Sequence, residues 1–181
     1  MNIIYLLFHG LSPYSGISKK ILYQVKGLEA CGHQVSLCTY CIADNSHRVR
    51  MINGEIIADY GTGKLAAARK RVSYHCIYHY AVAHRVELIY VRSFHNANPF
   101  TIRLFSKLRK AGIKIAMEIP TYPYDSEYAG FPLVTRLGIQ VDKVFRKTLA
   151  KHVNAIVTFS DYHCIFGQRT IQISNGVDFD S

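Results

Sequence analysis

Residues 2–40 read NIIYLLFHGLSPYSGISKKILYQVKGLEACGHQVSLCTY and hold one complete strand–helix–strand unit. Asn2–Phe8 is a nearly unbroken apolar run, the pattern of a central parallel strand buried on both faces. After the turn His9–Gly16, apolar residues recur at Ile17, Ile21, Leu22, Val25 and Leu28, which is helical spacing. Gly32 ends that helix, and Gln34–Tyr40 supplies the next strand. The unit has the length that a parallel crossover needs.

The same alternation runs on through the chain. Val49–Ile52 and Glu55–Ala58 flank Asn53-Gly54, a strong two-residue hairpin signal. Lys64–Ala83 reads as one basic, aromatic helix, and Glu87–Val91 as a third central strand. Asn98-Pro99 supplies an N-cap and a first-turn proline for a helix that ends before Gly112. Strand Ile113–Glu118, loop Ile119–Pro132, a helix over Val134–Lys151 and strand Asn154–Phe159 follow, then a short helical turn and strand Thr170–Ser174. This order predicts an α/β fold: a Rossmann-like, doubly wound, mainly parallel sheet with helices on both faces. In such a sheet, ligands sit beyond the carboxyl ends of the strands, so the loops to inspect are 9–16, 40–47, 92–98, 119–131 and 159–162.

Composition narrows the class. Of 181 residues 49% are hydrophobic and 19% charged, which provides a core and excludes disorder as the main state. No apolar run has the length of a membrane span, and Met1-Asn2 leads straight into the first strand without a basic leader. The expected compartment is therefore the cytoplasm. Twenty-two Lys and Arg against twelve Asp and Glu leave a charge of +10, which suits an anionic partner. The five cysteines are irregularly spaced; Cys38-Thr39-Tyr40-Cys41 lacks a second pair at zinc spacing and lacks the helix a redox motif needs.

Three loops carry polar chemistry. His9–Gly16 places a glycine at a helix start, where exposed N–H groups and the helix dipole favour an anion. It matches neither the dinucleotide fingerprint nor a P-loop, and a plain turn between strand and helix is the alternative. Arg92-Ser93-Phe94-His95 brings a cation, a hydroxyl and an imidazole to the same rim, with His95 as a candidate base or a solvated side chain. The loop that opens at Glu118 contains Thr121, Tyr122, Tyr124, Asp125, Glu127 and Tyr128. Its rings and carboxylates suit a sugar, and tyrosines packed on the domain are the alternative. Glu118 ends a buried strand and requires a partner; Arg92, ending the neighbouring strand, is the obvious one, as an ion pair or beside a shared substrate.

Lys64–Ala83 sets Leu65, Ala68, Val72, Cys76, Tyr80 and Ala83 on one stripe, with Lys64, Arg69, Lys70, Arg71, His75 and His79 supplying charge. Such a helix lies on an anionic membrane surface, or faces the core with a solvated basic back. His75 and His79 have zinc-like spacing but lack the adjoining Glu and a third ligand, so no metal site is expected.

Taken in order, these segments resemble the N-terminal lobe of GT-B glycosyltransferases of family 4. The resemblance rests on the loop His9–Ile17, on Gly32-His33-Gln34-Val35, on Leu88–Arg92, on Glu118–Glu127, on Val157–Ser160 and on Ile173–Asp178. It implies a Rossmann-like acceptor-binding lobe over 1–174, and over 175–181 the start of a crossover to a donor-binding lobe absent from this chain. It implies retaining transfer from a nucleotide diphosphate sugar to a glycan or lipid-linked acceptor at the cytoplasmic membrane face, peripherally held, without metal or other cofactor. By the same resemblance Ser15, Gly16 and Ile17 approach the donor diphosphate, and catalytic groups belong to the second lobe. Acceptor candidates are Tyr14, Arg92, Ser93, His95, Glu118, Thr121, Tyr122, Asp125 and Glu127; membrane-surface candidates are Lys64, Arg69, Lys70 and Arg71. One glycine precedes the helix where many relatives have two. The competing reading is a non-enzymatic basic α/β module for a polyanion such as nucleic acid; the chain carries no recognised nucleic-acid motif, and none is expected as partner.

Overall fold

The computed structural model describes residues 1–12, 14–93, 96–123 and 133–174. Its strands are β1 (Asn2–Leu6), β2 (Gln34–Ile42), β3 (Arg48–Ile52), β4 (Glu55–Asp59), β5 (Leu88–Arg92), β6 (Lys114–Ile119), β7 (Ala155–Thr158), β8 (Cys164–Ile165) and β9 (Gln168–Gln172). Its helices are α1 (Gly16–Ala30), α2 (Gly63–Val72), α3 (His75–Ala83), α4 (Pro99–Lys110) and α5 (Leu133–Ala150).

The strands lie in the order β4-β3-β2-β1-β5-β6-β7-β9-β8. Every pairing from β2 across to β9 is parallel, and antiparallel hairpins close the two ends. The fold is thus α/β with a mostly parallel, Rossmann-like sheet, as the sequence predicts. The chain winds outward from β1 to β4, then returns to lay β5 on the other side of β1. Winding direction reverses between β1 and β5, which puts the crevice of such sheets beyond the carboxyl ends of those two strands.

Alternation along β1 splits the core. Ile4 and Leu6 join Ile77, Ala81, Phe105, Leu108 and Leu149, so α3, α4 and α5 cover one face. Tyr5 and Leu7 pack with Ile21 and Val25 of α1 on the other. Among the described residues α1 is the one helix on that second face. At the start of α1 the Ser15 hydroxyl accepts from Ser18 N at 3.4 Å. A reciprocal cap starts α4: the Asn98 side chain accepts from Thr101 N, and Thr101 Oγ1 accepts from Asn98 N at 3.0 Å. Asn53 and Gly54 both take positive φ, 49° and 89°, the primed turn that their dipeptide favours.

Two expectations are corrected. Lys64–Ala83 is not one helix; it breaks at Ser73-Tyr74. Tertiary contacts hold the break: Tyr74 is buried edge-on against Phe8, with centroids 5.6 Å apart, and the Tyr60 hydroxyl donates to the Ser73 carbonyl at 3.2 Å. The change of direction scraps the expected stripe. Ala66, Tyr74, Ile77 and Ala81 are buried, whereas Leu65 and Val72 are exposed. Lys64, Arg69, Lys70 and Arg71 all lie on α2, where Lys64, Arg69 and Arg71 are exposed and Lys70 is half-buried. The second correction is the helical turn after 160: the segment is a hairpin, β8 to β9, turning on Phe166 and Gly167 at φ 52° and 82°. No described helix is long and apolar enough to cross a membrane.

Candidate functional site

The rim beyond β1, β5 and β6 gathers most of the described candidates. Arg92 and Glu118 end adjacent parallel strands in direct register and form a buried ion pair through Arg92 Nη1 and Glu118 Oε1. Glu118 is fully enclosed, and its second oxygen accepts from Tyr90 Oη at 2.7 Å and from Gln24 Nε2 at 3.0 Å. Gln24 in turn accepts from Tyr5 Oη at 2.5 Å. Tyr5 and Tyr90 pair across β1 and β5 with centroids 5.0 Å apart. Burial, and then the nearby Glu118 carboxylate, raise both phenols well above their ordinary values, so they act as neutral donors. Of the two readings of Arg92 and Glu118, the ion pair is the one formed. It aligns the strand ends, and the enclosed carboxylate positions other groups.

Above this network sits the first turn of α1. A Cβ added at Gly16 would meet nothing within 4 Å, and its backbone needs no left-handed conformation. The fold therefore makes no demand for glycine there, and a side chain at that position would enter open space. Gly10 is the opposite case: a Cβ there would lie 2.8 Å from the Tyr40 carbonyl oxygen, so close packing of the loop on β2 requires glycine. Tyr14 and Ile17 are exposed on the same loop and helix start. No acidic residue occupies the first turn of α1, so nothing opposes an anion at its N-terminus. Lys20, one turn on, holds its ammonium 3.5 Å above the Phe159 ring. Partial burial lowers its pKa; Glu118 draws it up and Arg92 presses it down.

Ser93 N donates to the Glu118 carbonyl at 2.9 Å, carrying the ladder one residue past β5. Thr121 is exposed at the rim. Tyr122 is turned away: its N–H donates to Ser160 Oγ at 3.0 Å, and its ring packs edge-on against Tyr162 and Phe166 of the β8–β9 hairpin. For Tyr122 the packed alternative holds, because that hairpin presents two aromatic walls the sequence reading did not foresee. His95, Asp125, Glu127 and the 175–181 segment lie outside the described residues. Lys20 and Gln24, missed in the sequence, stand at i and i+4 beside the apolar Ile21 and Val25; polar residues flanking a core stripe were the available signal.

Comparison with protein families, with curated proteins and with solved structures found no match for this chain.

The chemistry must therefore come from the rim itself. Among the described residues no three His, Cys, Asp or Glu side chains gather as a metal site. Cys38 and Cys41 point to opposite faces of β2. Cys38 is buried, with its thiol pushed up to about 12 by desolvation, and Cys41 Sγ lies 3.2 Å from Met51 Sδ. The two thiols do not form a pair. What remains is an open helix N-terminus, a lysine, and an arginine held in register by an enclosed carboxylate. That set offers positive charge and N–H donors to an anion; among the described residues it contains no nucleophile aligned with a base.

Proposed function

We propose that this chain is the acceptor-side lobe of a GT-B glycosyltransferase of family 4 type, acting on a nucleotide diphosphate sugar. The observation that carries the reading is the open N-terminus of α1 at Gly16, set where the sheet reverses its winding. Backbone N–H groups at a helix start, with Lys20 one turn on, stabilise negative charge as it grows on a leaving diphosphate. The rim beyond β5 and β6, with Ser93 and Thr121, supplies hydroxyls for a glycan or lipid-linked acceptor. The groups that complete transfer come, on this reading, from a second lobe facing the rim.

The test uses the gene product that contains this chain, assayed for release of nucleoside diphosphate from a panel of nucleotide sugars with glycan and lipid-linked acceptors. Gly16→Val should lower kcat/KM by about 100-fold or more, the scale of losing one preorganised donor, while circular dichroism and melting stay unchanged. Turnover unaffected by Gly16→Val, or no release from any nucleotide sugar, overturns the reading.

A further inference from the structure

Beside the loop that leads to α1, Arg48 and Lys70 converge on Tyr40, with Arg50 and Arg71 close to Lys70. Tyr40 lies opposite Arg50 in the β2–β3 register, and Arg48 stands two residues before Arg50 on the same side of β3. Arg48 Nη1 donates to Tyr40 Oη at 2.8 Å, and Lys70 from α2 holds its ammonium 3.5 Å from the centre of the Tyr40 ring. Arg50 is 1% exposed, with one nitrogen donating to the Leu7 carbonyl at 2.7 Å. The Nε atoms of Arg48 and Arg50 are both buried without a hydrogen-bond partner. Among the described residues no carboxylate pairs with Arg48, Arg50, Lys70 or Arg71.

Such an arrangement is costly as it stands. A buried guanidinium requires a counter-charge or a full set of acceptors; Arg50 has the Leu7 carbonyl, the Tyr60 hydroxyl and the Cys38 thiol, but among the described residues no carboxylate, and its Nε is unmatched. Like charges stacked around one ring raise the cost further. Lys70 registers it: burial, then Arg71, Arg48 and Arg50 in turn, push its ammonium down to about 8.

We propose that Arg48, Lys70 and Arg71, backed by the buried charge of Arg50, form an anion site that takes a phosphomonoester or diphosphate group. Arg48 offers a planar fork and Lys70 a point charge, the pair of donors that phosphoryl oxygens accept best. Tyr40 accepts from Arg48 and keeps its own proton for donation. Arg71 is exposed and Arg48 and Lys70 are half-buried, so the ligand enters from solvent, while Arg50 acts through the low-dielectric interior. The Tyr40 backbone packs against the loop that leads to α1, at His9 and Gly10, but the proposal does not depend on sugar transfer.

Titrate the purified chain with inorganic pyrophosphate by calorimetry, and with phosphatidic acid vesicles by co-sedimentation, to separate a free phosphoryl compound from a lipid headgroup. Binding in at least one arm should weaken by about tenfold or more in Lys70→Gln and in Arg48→Gln, the worth of one charge-assisted hydrogen bond. Lys64→Gln and Arg69→Gln, which alter exposed cations outside the cluster, should leave pyrophosphate affinity unchanged. Pyrophosphate should also raise the melting temperature of the unaltered chain and not that of Lys70→Gln. Without anion, Lys70→Gln should melt at or above the unaltered chain, since an unmatched cation is gone. No binding in either arm, equal affinity in the cluster variants, or a Lys70→Gln variant that is less stable with affinity unchanged overturns the proposal. Sugar transfer is not read in either arm, so this result and that of the Gly16→Val assay stand apart.

Discussion

Arg92 and Glu118 face each other at matched positions of β5 and β6, with 8% and 0% of their side chains exposed. A carboxylate enclosed this far would be untenable alone, and it draws three donors from two elements: Arg92 and Tyr90 on β5, and Gln24 on α1. Removing one partner leaves the other charge buried and unmatched. Arg92→Met and Glu118→Gln should therefore each destabilise the chain by about 3–5 kcal/mol in urea unfolding. The double variant should recover much of that loss, and a strictly additive double loss would contradict the coupling.

The two loop glycines should behave differently. Gly10→Ala forces the loop off the Tyr40 carbonyl and should cost about 1–3 kcal/mol, the usual scale of overpacking. Gly16→Ala enters open space at a helix start and should leave the melting temperature unchanged or slightly raised. Calorimetric melting of both variants checks this, and equal losses would refute the assignment of open space.

Lys70 has a pH signature. Its folded pKa of about 8 lies below the ordinary lysine value, so above pH 8 the unfolded chain holds more protons than the folded one. Stability attributable to Lys70 thus rises with pH from about 8, and the penalty is complete below it. The groups facing it are Arg48 and Arg50 on β3, Arg71 on α2 and Tyr40 on β2; the first three stay charged throughout. Cys38, raised to about 12, and Tyr60, also raised by burial, act with the opposite sign above their own ordinary values. The difference between the unaltered chain and Lys70→Gln removes those shared contributions. Urea midpoints should show the advantage of Lys70→Gln shrinking between pH 7 and pH 9.5; a constant gap would count against it.

The α4 cap predicts a smaller effect. Asn98→Ala removes the acceptor of two N-terminal donors, Phe100 N at 2.9 Å and Thr101 N at 3.1 Å. The loss should be about 0.5–2 kcal/mol, read from equilibrium unfolding. An unchanged midpoint would show that the Thr101 side alone secures the helix start.

Local signals carried most of the architecture. The apolar run at Ile3–Leu7, the Asn53-Gly54 turn and the Asn98-Pro99 cap each write their conformation into adjacent residues, and the structure follows them. The Arg92–Glu118 pair was legible because neighbouring parallel strands bring the residues near their carboxyl ends side by side. The break at Ser73-Tyr74 was not, because a helical pattern is overruled there by Phe8 and Tyr60 from other elements. Phe166-Gly167 hid a hairpin because its turn lacks the usual Asn or Asp. At the candidate site Gly16 was legible as a helix start, but its open surroundings were not. The cluster on Tyr40 was invisible for a similar reason: its members come from β3 and α2, and only the folded sheet brings them together.

Strand β1 is the one that waits longest along the chain for its second partner. Ile3 pairs with Val35 on one side and with Leu88 on the other. During synthesis β2 can close one edge of β1 early, whereas the second edge stays unpaired until β5 has left the ribosome. That exposed edge is Ile3-Ile4-Tyr5-Leu6, an apolar template for any neighbouring nascent chain. Completing the sheet then waits on closure of a long loop, a contact of high sequence separation of the kind that slows folding.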